Sequence, residues 1–351
     1  MSVVIVTGSG GLIGSAAVAR YCEERATVIG IDCDARAQFF GMGSSVRPMI
    51  DQLIARHSNY QHIDMDIRDQ DRLNKLFKAH GHNISLIVHT AAQPSHDWAA
   101  SQPITDFTIN ALATTYLLEA YRDHCPEACF VFTSTNKVYG DTPNRLPLQA
   151  GDTRLYLPEE HPYAEGIDES MSIDHSLHSL FGVSKVAADL MVQEYGRNFG
   201  LKTGVFRAGC LTGEGHQGAK LHGFLSYLAR SCKSGQGYTV FGYEGKQVRD
   251  NLHARDVISA MDTFAKNPRP GEVYNIGGGP ERSVSVLEAI ARMEKMSGSR
   301  MTVGFSKEAR VGDHRWWVSD MSKFKRDYPQ WAPQVSIDMI FEGLMEAEEI
   351  G

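Results

Sequence analysis

The first 32 residues constrain the fold of this chain more than any other segment. VVIVTG (3–8) is short, apolar and β-branched, as buried strands are, and GLIGSAAVARYCEE continues with small and apolar residues at helical spacing. Gly8, Gly11 and Gly14 lie around this junction in a G-x-x-G-x-x-G pattern. A second apolar run, ATVIGID, ends at Asp32, 18 residues after Gly14. The segment therefore predicts a βαβ unit at the start of a parallel sheet.

This unit is also suited to hold a charged ligand. Glycine lets the backbone turn tightly and approach a pyrophosphate, and free amide groups at the start of the helix stabilise the phosphate charge. The carboxylate of Asp32 can accept hydrogen bonds from an adenosine ribose and would repel a 2′-phosphate, which favours NAD over NADP. Arg36 lies nearby and is an argument for NADP, but we interpret it as a surface residue or a cap on the adenine. The predicted cofactor residues here are Gly8, Gly11, Leu12, Ile13, Gly14, Asp32 and Arg36.

Strands and helices alternate over the first half of the chain. ACFVFTS (128–134), QHIDMDIRD, ISLIVHTAA and KTGVFRAG indicate strands, and helical patterns occur at 69–79, at 101–124 and in HSLFGVSKVAADLMVQEYGRNFG. This predicts an α/β fold with a Rossmann-type doubly wound parallel sheet covered on both faces. The pattern then becomes irregular, so we expect an NAD-binding domain over 1–207 and a smaller C-terminal substrate-binding lobe over 208–351. The boundary is approximate, and the chain is free to cross between the lobes.

Composition narrows the classes of partner. The formal net charge of −7, with 42% hydrophobic and 22% charged residues, is ordinary for a soluble globular protein and gives no reason to expect nucleic acid or an anionic membrane. The first residues lead directly into a strand and no long apolar run follows, so we expect a cytoplasmic location. The six cysteines form no C-x-x-C pair and have no histidine at zinc-ligand spacing, which favours reduced thiols and no metal.

Several short segments together resemble the extended short-chain dehydrogenase/reductase family. They are the T-G-x-x-G-x-x-G loop, DIRD (66–69), HTAAQ (89–93), TSTNKVYGD (133–141), the Ser-Lys pair of FGVSK, and GKQVRDNLHARD (245–256). Within this family the chain is similar to the nucleotide-sugar epimerases, and STNKVYGD, GIDES (166–170) and GKQVRD place it nearest those that act at C2 of a CDP-linked deoxyhexose. The similarity covers nearly the whole chain. It implies NAD as cofactor, a nucleotide sugar as substrate, and transient oxidation to a keto sugar followed by re-reduction.

The resemblance also assigns cofactor contacts to residues at matching positions. Asp66 and Ile67 would flank the adenine, and Lys185 would hold the nicotinamide ribose. The diphosphate and the nicotinamide side would be lined by Ala91, Ala92 and Gln93.

Substrate contacts follow in the same way. Thr135 would hydrogen-bond the reacting sugar, with Asn136 and Lys137 beside it. Arg249 would clamp the sugar-nucleotide diphosphate, and Arg315 in GDHRWW would be a second anion contact. These arginines would offset the net negative charge of the protein locally.

Position 181 departs from the family pattern. The resemblance implies a catalytic tyrosine there, whose pKa is lowered by the nearby lysine and by the oxidised nicotinamide so that it can transfer the hydroxyl proton. The chain has Phe181, which can neither give nor take a proton. Loss of a general acid/base commonly costs about a hundredfold to ten-thousandfold in rate.

Three explanations for Phe181 remain open at the level of sequence. Another group can carry the proton, the nominees being Tyr139, His178, His96, Lys137, Cys210 and a water held by Thr135 and Lys185. The enzyme can instead be a nucleotide-sugar isomerase, dehydratase or decarboxylase of the same family. The protein can also be a non-catalytic sensor of NAD and a sugar nucleotide. Apart from these three, Phe181 can be an engineered Tyr→Phe change made to trap substrate.

Two further expectations concern the ligand pocket and the interface between subunits. The polar segment 141–176 is long enough to be a binding loop that reaches the sugar cleft, and 208–224 is expected to contribute to the nucleotide and sugar pocket by analogy. The resemblance implies a homodimer that pairs through the helical segments 101–124 and 177–200.

Overall fold

The computed structural model describes residues 2–213, 223–309 and 312–347. Its strands are β1 (Val3–Thr7), β2 (Thr27–Asp32), β3 (Tyr60–Asp64), β4 (Ile84–His89), β5 (Cys129–Thr135), β6 (Gln149–Ala150), β7 (Leu155–Tyr156), β8 (Lys202–Ala208), β9 (Cys210–Thr212), β10 (Tyr238–Phe241), β11 (Val248–His253), β12 (Glu272–Ile276), β13 (Ser283–Ser285), β14 (Val303–Ser306) and β15 (Trp316–Trp317). Its α-helices are α1 (Leu12–Glu23), α2 (Ala35–Phe40), α3 (Arg47–Arg56), α4 (Gln70–His80), α5 (His96–Ser101), α6 (Pro103–Phe107), α7 (Ala113–His124), α8 (Ser179–Phe199), α9 (Phe224–Ser234), α10 (Ala254–Lys266), α11 (Val286–Ser297), α12 (Ser322–Asp327) and α13 (Ile337–Glu346).

A seven-stranded parallel sheet forms the centre of the molecule, in the order β12-β8-β5-β4-β1-β2-β3. The chain winds outward in one direction through β2 and β3 and in the other through β4, β5 and β8. The strand order therefore reverses beside β1, and a crevice opens there at the carboxyl ends of the strands. The predicted doubly wound α/β fold is confirmed.

Each face of this sheet carries its own hydrophobic core. Val4 and Val6 of β1 belong to one core, together with residues of α1 and α10, whereas Val3 and Ile5 belong to the other, together with residues of α4, α7 and α8. All four valine and isoleucine side chains are buried, because successive residues of a strand point to opposite faces and helices cover both.

The second lobe is built from smaller sheets. β11 pairs with β9 and β15 in parallel and with β13 in antiparallel orientation, while β10 pairs with β14. Helices α9, α11 and α13 share a hydrophobic core on this side. Strand β12 returns to the main sheet from beyond residue 207, so the two lobes alternate along the sequence. Division of the chain at residue 207 stays a proposal.

The predicted helix over 101–124 is interrupted. Pro103 begins the new helix α6, and the backbone of 108–112 forms a π-helical turn before α7 starts at Ala113. The extra residue in this turn brings Asn110 to the core, where its side-chain amide donates to Ser184 Oγ and to the Gln93 carbonyl, both at 3.0 Å. Such turns commonly occur at functional sites, and this one supports the helix α8 that carries Lys185.

Candidate active site

A cavity of about 520 Å³ lies between the carboxyl edge of the main sheet and the second lobe. It is lined by loops that follow β1, β2, β4, β5 and β8 and by strand β11. Most of the residues predicted from sequence border it together, namely Gly8, Gly11, Leu12, Ile13, Asp32, Arg36, Asp66, Ile67, Ala91, Ala92, Thr135, Asn136, Lys137, Phe181, Lys185 and Arg249. Residues far apart in the chain thus meet in one space.

The glycine loop is packed too tightly for side chains. Gly8 has a φ of +69°, and a Cβ there would lie 2.8 Å from the Ala91 nitrogen. Gly14 is not among the residues that border the cavity, and a Cβ on it would lie 2.0 Å from the Gly8 carbonyl oxygen. Gly11 is the N-cap of α1 and makes no side-chain cap hydrogen bond. The loop consequently leaves the first amide groups of α1 available to an anion at the cavity wall.

Asp32 ends β2 with its carboxylate fixed by the backbone. Its two oxygens accept from the amide groups of Gly10, at 3.0 Å, and Asp34, at 2.9 Å. Burial raises the pKa of Asp32, and these two amide donors oppose that rise. Arg36 stands nearby in the cavity wall with its guanidinium 5.0 Å from the centre of the Phe40 ring. Each Asp32 oxygen keeps a lone pair for a sugar hydroxyl.

Gln93 lies outside the cavity lining. Its side-chain amide nitrogen donates to Asp106 Oδ1 at 2.7 Å and to the Ser95 carbonyl at 2.9 Å, in a fully buried position. Its backbone nitrogen donates to Asn110 Oδ1 at 2.9 Å. Gln93 therefore orders the loop after β4, and Ala91 and Ala92 of the same loop form the wall.

Lys185 and Phe181 lie one helical turn apart in α8, and both border the cavity. The ammonium of Lys185 donates to the Thr133 carbonyl at 2.9 Å and lies 4.2 Å from the centre of the Phe132 ring. Burial lowers the pKa of Lys185 to about 8. The Phe181 ring is 7% exposed and packs edge-on against His96, with 4.9 Å between the ring centres. Position 181 thus faces the cavity as the resemblance implies, but with an apolar ring.

Thr135 is the last residue of β5 and caps the 3₁₀ turn Asn136–Tyr139. Its Oγ1 accepts from the Lys137 backbone nitrogen at 3.2 Å. Lys137 is half-buried in the cavity wall, where desolvation and the charge of Arg249 lower its pKa to about 8 while Asp313 opposes the change. The turn therefore places a hydroxyl and an amine side by side.

The two predicted arginines take different positions. Arg249, buried on β11, borders the cavity, donates to the Val248 carbonyl at 2.7 Å and forms an ion pair with Asp313. Arg315 is not among the cavity residues, and its guanidinium lies 5.8 Å from the centre of the Tyr243 ring. The assignment of Arg315 as a second anion contact therefore stays a proposal.

Two of the nominated proton carriers also lie outside the cavity lining. The Tyr139 hydroxyl is buried between Asn275 Oδ1, at 2.8 Å, and Arg207, at 3.0 Å. The His178 ring bonds to the Ile173 carbonyl at 2.7 Å. His96, Lys137 and Cys210 do border the cavity.

Sequence reasoning missed cavity residues of the second lobe. Asp313, Gln247 and Asn251 all border the cavity. Asp313 lies two residues before Arg315 in GDHRWW, and Gln247 and Asn251 flank Arg249, so the quoted motifs held the only available signal. In the expected pocket segment, 208–212, Gly223 and Phe224 border the cavity, and 214–222 lie outside the described residues.

The segment 141–176 contributes no residue to the cavity lining, so the expectation that it reaches the sugar cleft is not met. Leu155, Ile167 and Met171 are buried in a core with Trp317. These apolar contacts hold the segment against the second lobe.

Within the described part of the chain, none of the helices has the length and apolar character that a membrane span requires.

The chain is similar in sequence to known proteins. Residues 4–277 match the NAD dependent epimerase/dehydratase family. The chain is 34% identical over 286 residues to CDP-paratose 2-epimerase of Salmonella typhi, covering 79% of this chain and 81% of the relative. It is 26% identical over 352 residues to dTDP-glucose 4,6-dehydratase of Escherichia coli, covering 95% of this chain and 89% of the relative.

Solved structures share the fold along nearly the whole chain. A tyrosine-to-phenylalanine mutant of UDP-glucuronic acid 4-epimerase from Bacillus cereus, in complex with UDP-4-deoxy-4-fluoro-glucuronic acid and NAD, aligns with a TM-score of 0.77 at 25% identity and 98% coverage of both chains. UDP-glucose 4-epimerase of Thermotoga maritima, solved with UDP-glucose, aligns with a TM-score of 0.77 at 23% identity and the same coverage.

Proposed function

The chain belongs to the NAD dependent epimerase/dehydratase family, and from this premise we propose that it is a nucleotide-sugar epimerase acting at C2 of a CDP-deoxyhexose. One observation carries the proposal. A single cavity joins the glycine loop, Asp32 and Lys185 to Thr135 and Arg249, so a dinucleotide and a sugar diphosphate can lie end to end in it. The choice of C2 and of CDP rests on the 34% identity to CDP-paratose 2-epimerase.

The cofactor end of the cavity fits NAD. Side chains at Gly8 and Gly14 would collide with backbone atoms, so the loop surface stays open to a pyrophosphate, and Asp32 presents a fixed carboxylate for a ribose. The predicted contacts of Asp66, Ile67, Ala91 and the ammonium of Lys185 complete this proposed site. When bound, NAD would accept a hydride from the sugar carbon and return one to the opposite face.

The protein groups supply position and charge. Arg249 would bind the substrate diphosphate, since a guanidinium offers several donors in a plane. Thr135 would hydrogen-bond the reacting sugar hydroxyl from the end of β5. Phe181 would exclude water and give one wall of the sugar site its shape, and the proton would be carried by another group.

Isotope labelling tests the proposed reaction. CDP-paratose deuterated at C2 should be converted by the NAD-loaded protein to the C2 epimer with the deuterium retained, because the hydride returns from the cofactor to the carbon it left. Wash-out of the label into water would contradict transient oxidation and indicate proton abstraction from carbon. Mass spectrometry of the product distinguishes the two.

Phe181 favours one second candidate, a sensor that binds NAD and a nucleotide sugar without turnover. Binding alone uses the same glycine loop, Asp32, Lys185 and Arg249. Tight uptake of NAD and CDP-paratose in calorimetry, with no epimer formed and no transient absorbance of NADH, would support the sensor over the enzyme.

We also propose that the protein is a homodimer. Apolar side chains are exposed on neighbouring helices, Ile104 and Phe107 on α6 and Leu180, Val183 and Leu190 on α8. Exposed apolar residues grouped in this way are typical of an interface between subunits. A second copy of the same face would cover them about a twofold axis.

A further inference from the structure

The cavity wall at position 181 has no atom that can exchange a proton. The proposed reaction still requires one, because the sugar hydroxyl must lose its proton as the carbonyl forms. Three of the nominated side chains border the cavity, those of His96, Lys137 and Cys210. These side chains differ in their contacts and in their pKa values, and these differences indicate which of them can accept the proton.

Lys137 lies beside Thr135 and also packs against α8 next to Phe181. Its backbone nitrogen donates to Thr135 Oγ1 at 3.2 Å, so it lies beside the hydroxyl proposed to bind the sugar. Its carbonyl oxygen is 3.2 Å from where a Cβ on Gly182 would lie, which packs the 3₁₀ turn against the residue after Phe181. The four-carbon side chain that starts here borders the same cavity as the Phe181 ring.

The surroundings of Lys137 favour the neutral form of its amine, which can accept a proton. Desolvation and Arg249 lower its pKa to about 8, Asp313 and Cys210 oppose the change, and the neighbouring His314 is held neutral by burial with its Nε2 at 2.8 Å from the Gly140 carbonyl. Within the described residues, no hydrogen bond or ion pair engages the Lys137 ammonium. A substantial fraction of this side chain is therefore a neutral amine near pH 8.

The other two candidates are less suited. Burial raises the pKa of the Cys210 thiol to about 11, so it remains protonated and is a poor base. The Nδ1 of His96 is engaged by Ser179 Oγ at 2.8 Å, its ring packs edge-on against Phe181, and Gly312 covers the other nitrogen, since a Cβ on Gly312 would lie 3.2 Å from His96 Nε2. The amine of Lys185 already donates to the Thr133 carbonyl.

We propose that Lys137 is the catalytic residue that takes the proton from the reacting sugar hydroxyl and later returns it, in place of a phenol at position 181. This inference rests on the proposed function. In the forward step the O–H bond breaks, its electron pair forms the C=O bond, the proton joins the amine to give an ammonium, and the hydride leaves carbon for the nicotinamide. In the return step the ammonium gives its proton back to the oxygen as hydride returns to carbon.

The test compares four proteins with CDP-paratose and saturating NAD: the natural chain, Lys137→Met, Phe181→Tyr and the double variant Lys137→Met/Phe181→Tyr. We expect Lys137→Met to lower kcat/KM by about a hundredfold to ten-thousandfold, with NAD affinity in calorimetry unchanged. The double variant should recover at least tenfold over Lys137→Met, since a phenol beside Lys185 restores a proton carrier. Lys78→Met, at an exposed position of α4, is the matched control and should match the natural chain.

Two readouts separate proton transfer from a structural role. The kcat/KM of the natural chain should rise with pH through about 8, as the amine becomes neutral, and Lys137→Met should lose this limb. Carbon-13 NMR of lysine Cε in the cofactor-free protein should show two resonances that titrate near 8, those of Lys137 and Lys185, and only the first should be missing in Lys137→Arg.

The results distinguish failure of the role of Lys137 from failure of the proposed function. An active natural chain whose pH limb survives in Lys137→Met would overturn the role of Lys137 and leave the proposed function standing. A natural chain that binds NAD but epimerises no CDP-paratose would overturn both. A Lys137 that stays charged above pH 10 in the NMR titration would overturn the inference even where turnover is seen.

Discussion

Phe181 differs from a tyrosine by one oxygen atom, and its ring lies in the cavity wall one turn from Lys185. We expect Phe181→Tyr to preserve or raise epimerase activity with CDP-paratose, because the added hydroxyl would point into a cavity that already holds the lysine able to lower its pKa. Steady-state kinetics measure this. A strong loss of activity with an unchanged circular dichroism spectrum would show that the apolar ring itself is required, and hence that a different chemistry operates.

Lys185 lies one turn after Phe181 in α8. Its ammonium is buried, so Lys185→Ala should weaken NAD binding by about tenfold to a hundredfold, the range expected when a charged hydrogen bond is lost. Affinity in the natural chain should also fall as pH rises through about 8, because the lowered pKa of Lys185 means that its charge is lost there. Calorimetric titration checks both effects, with the exposed Lys78→Ala as control. Unchanged affinity in Lys185→Ala would remove the assignment to the nicotinamide ribose.

Single residues were predictable from sequence where a contiguous motif fixed them. Asp32, Thr135 and Lys185 each end a strand or continue a helix that brings them to the same cavity, so their spacing was informative. Gln93 and Arg315 were not predictable in this way. The directions of their side chains depend on Asp106 and Tyr243, which are distant from them in the chain.

The junction between β1 and α1 acts as one element. A methyl group on Gly14 would lie 2.0 Å from the Gly8 carbonyl oxygen, so Gly14→Ala should push the helix away from the loop and lower the free energy of unfolding by about 1–3 kcal/mol. NAD affinity should fall with it. Urea unfolding and calorimetry measure the two effects. Gly43→Ala is the control, since among the described residues no heavy atom beyond its chain neighbours lies within 4 Å of a Cβ there, and an equal loss in that variant would refute the packing argument.

Helical periodicity predicted the segment 101–124 well but not its interruptions. Pro103 was a visible signal for a new helix start. The π-helical turn over 108–112 was not visible, because it depends on the hydrogen bonds that Asn110 makes with Gln93 and Ser184. An interruption of a helix that depends on the hydrogen bonds of a buried polar residue can therefore be located only in the tertiary structure.

At the scale of the whole molecule, the alternation of strands and helices predicted the doubly wound sheet, since each βαβ unit repeats the same local pattern. The return of β12 to that sheet was not predictable from local pattern. Glu272–Ile276 lies well beyond the expected domain boundary at residue 207, and its pairing with β8 shows where it lies.

The proposed dimer makes a prediction about assembly. Leu180→Asp combined with Val183→Asp should convert the protein from dimer to monomer, because two charges would be placed in an apolar interface on α8. Light scattering after size-exclusion chromatography reports the mass. Met339→Asp, an exposed apolar position on α13, is the control and should leave the mass unchanged. A natural chain that is already monomeric at high concentration would contradict the dimer.

Helix α8 is a single rod of 21 residues whose two sides have different tasks. One side carries Phe181 and Lys185 into the reaction chamber, and the other exposes Leu180, Val183 and Leu190. A rod that is rigid along its length transmits any displacement from one side to the other. If the protein is the proposed dimer, specific activity should therefore decline on extreme dilution, because separation of the subunits would release the outer side of α8 from its partner.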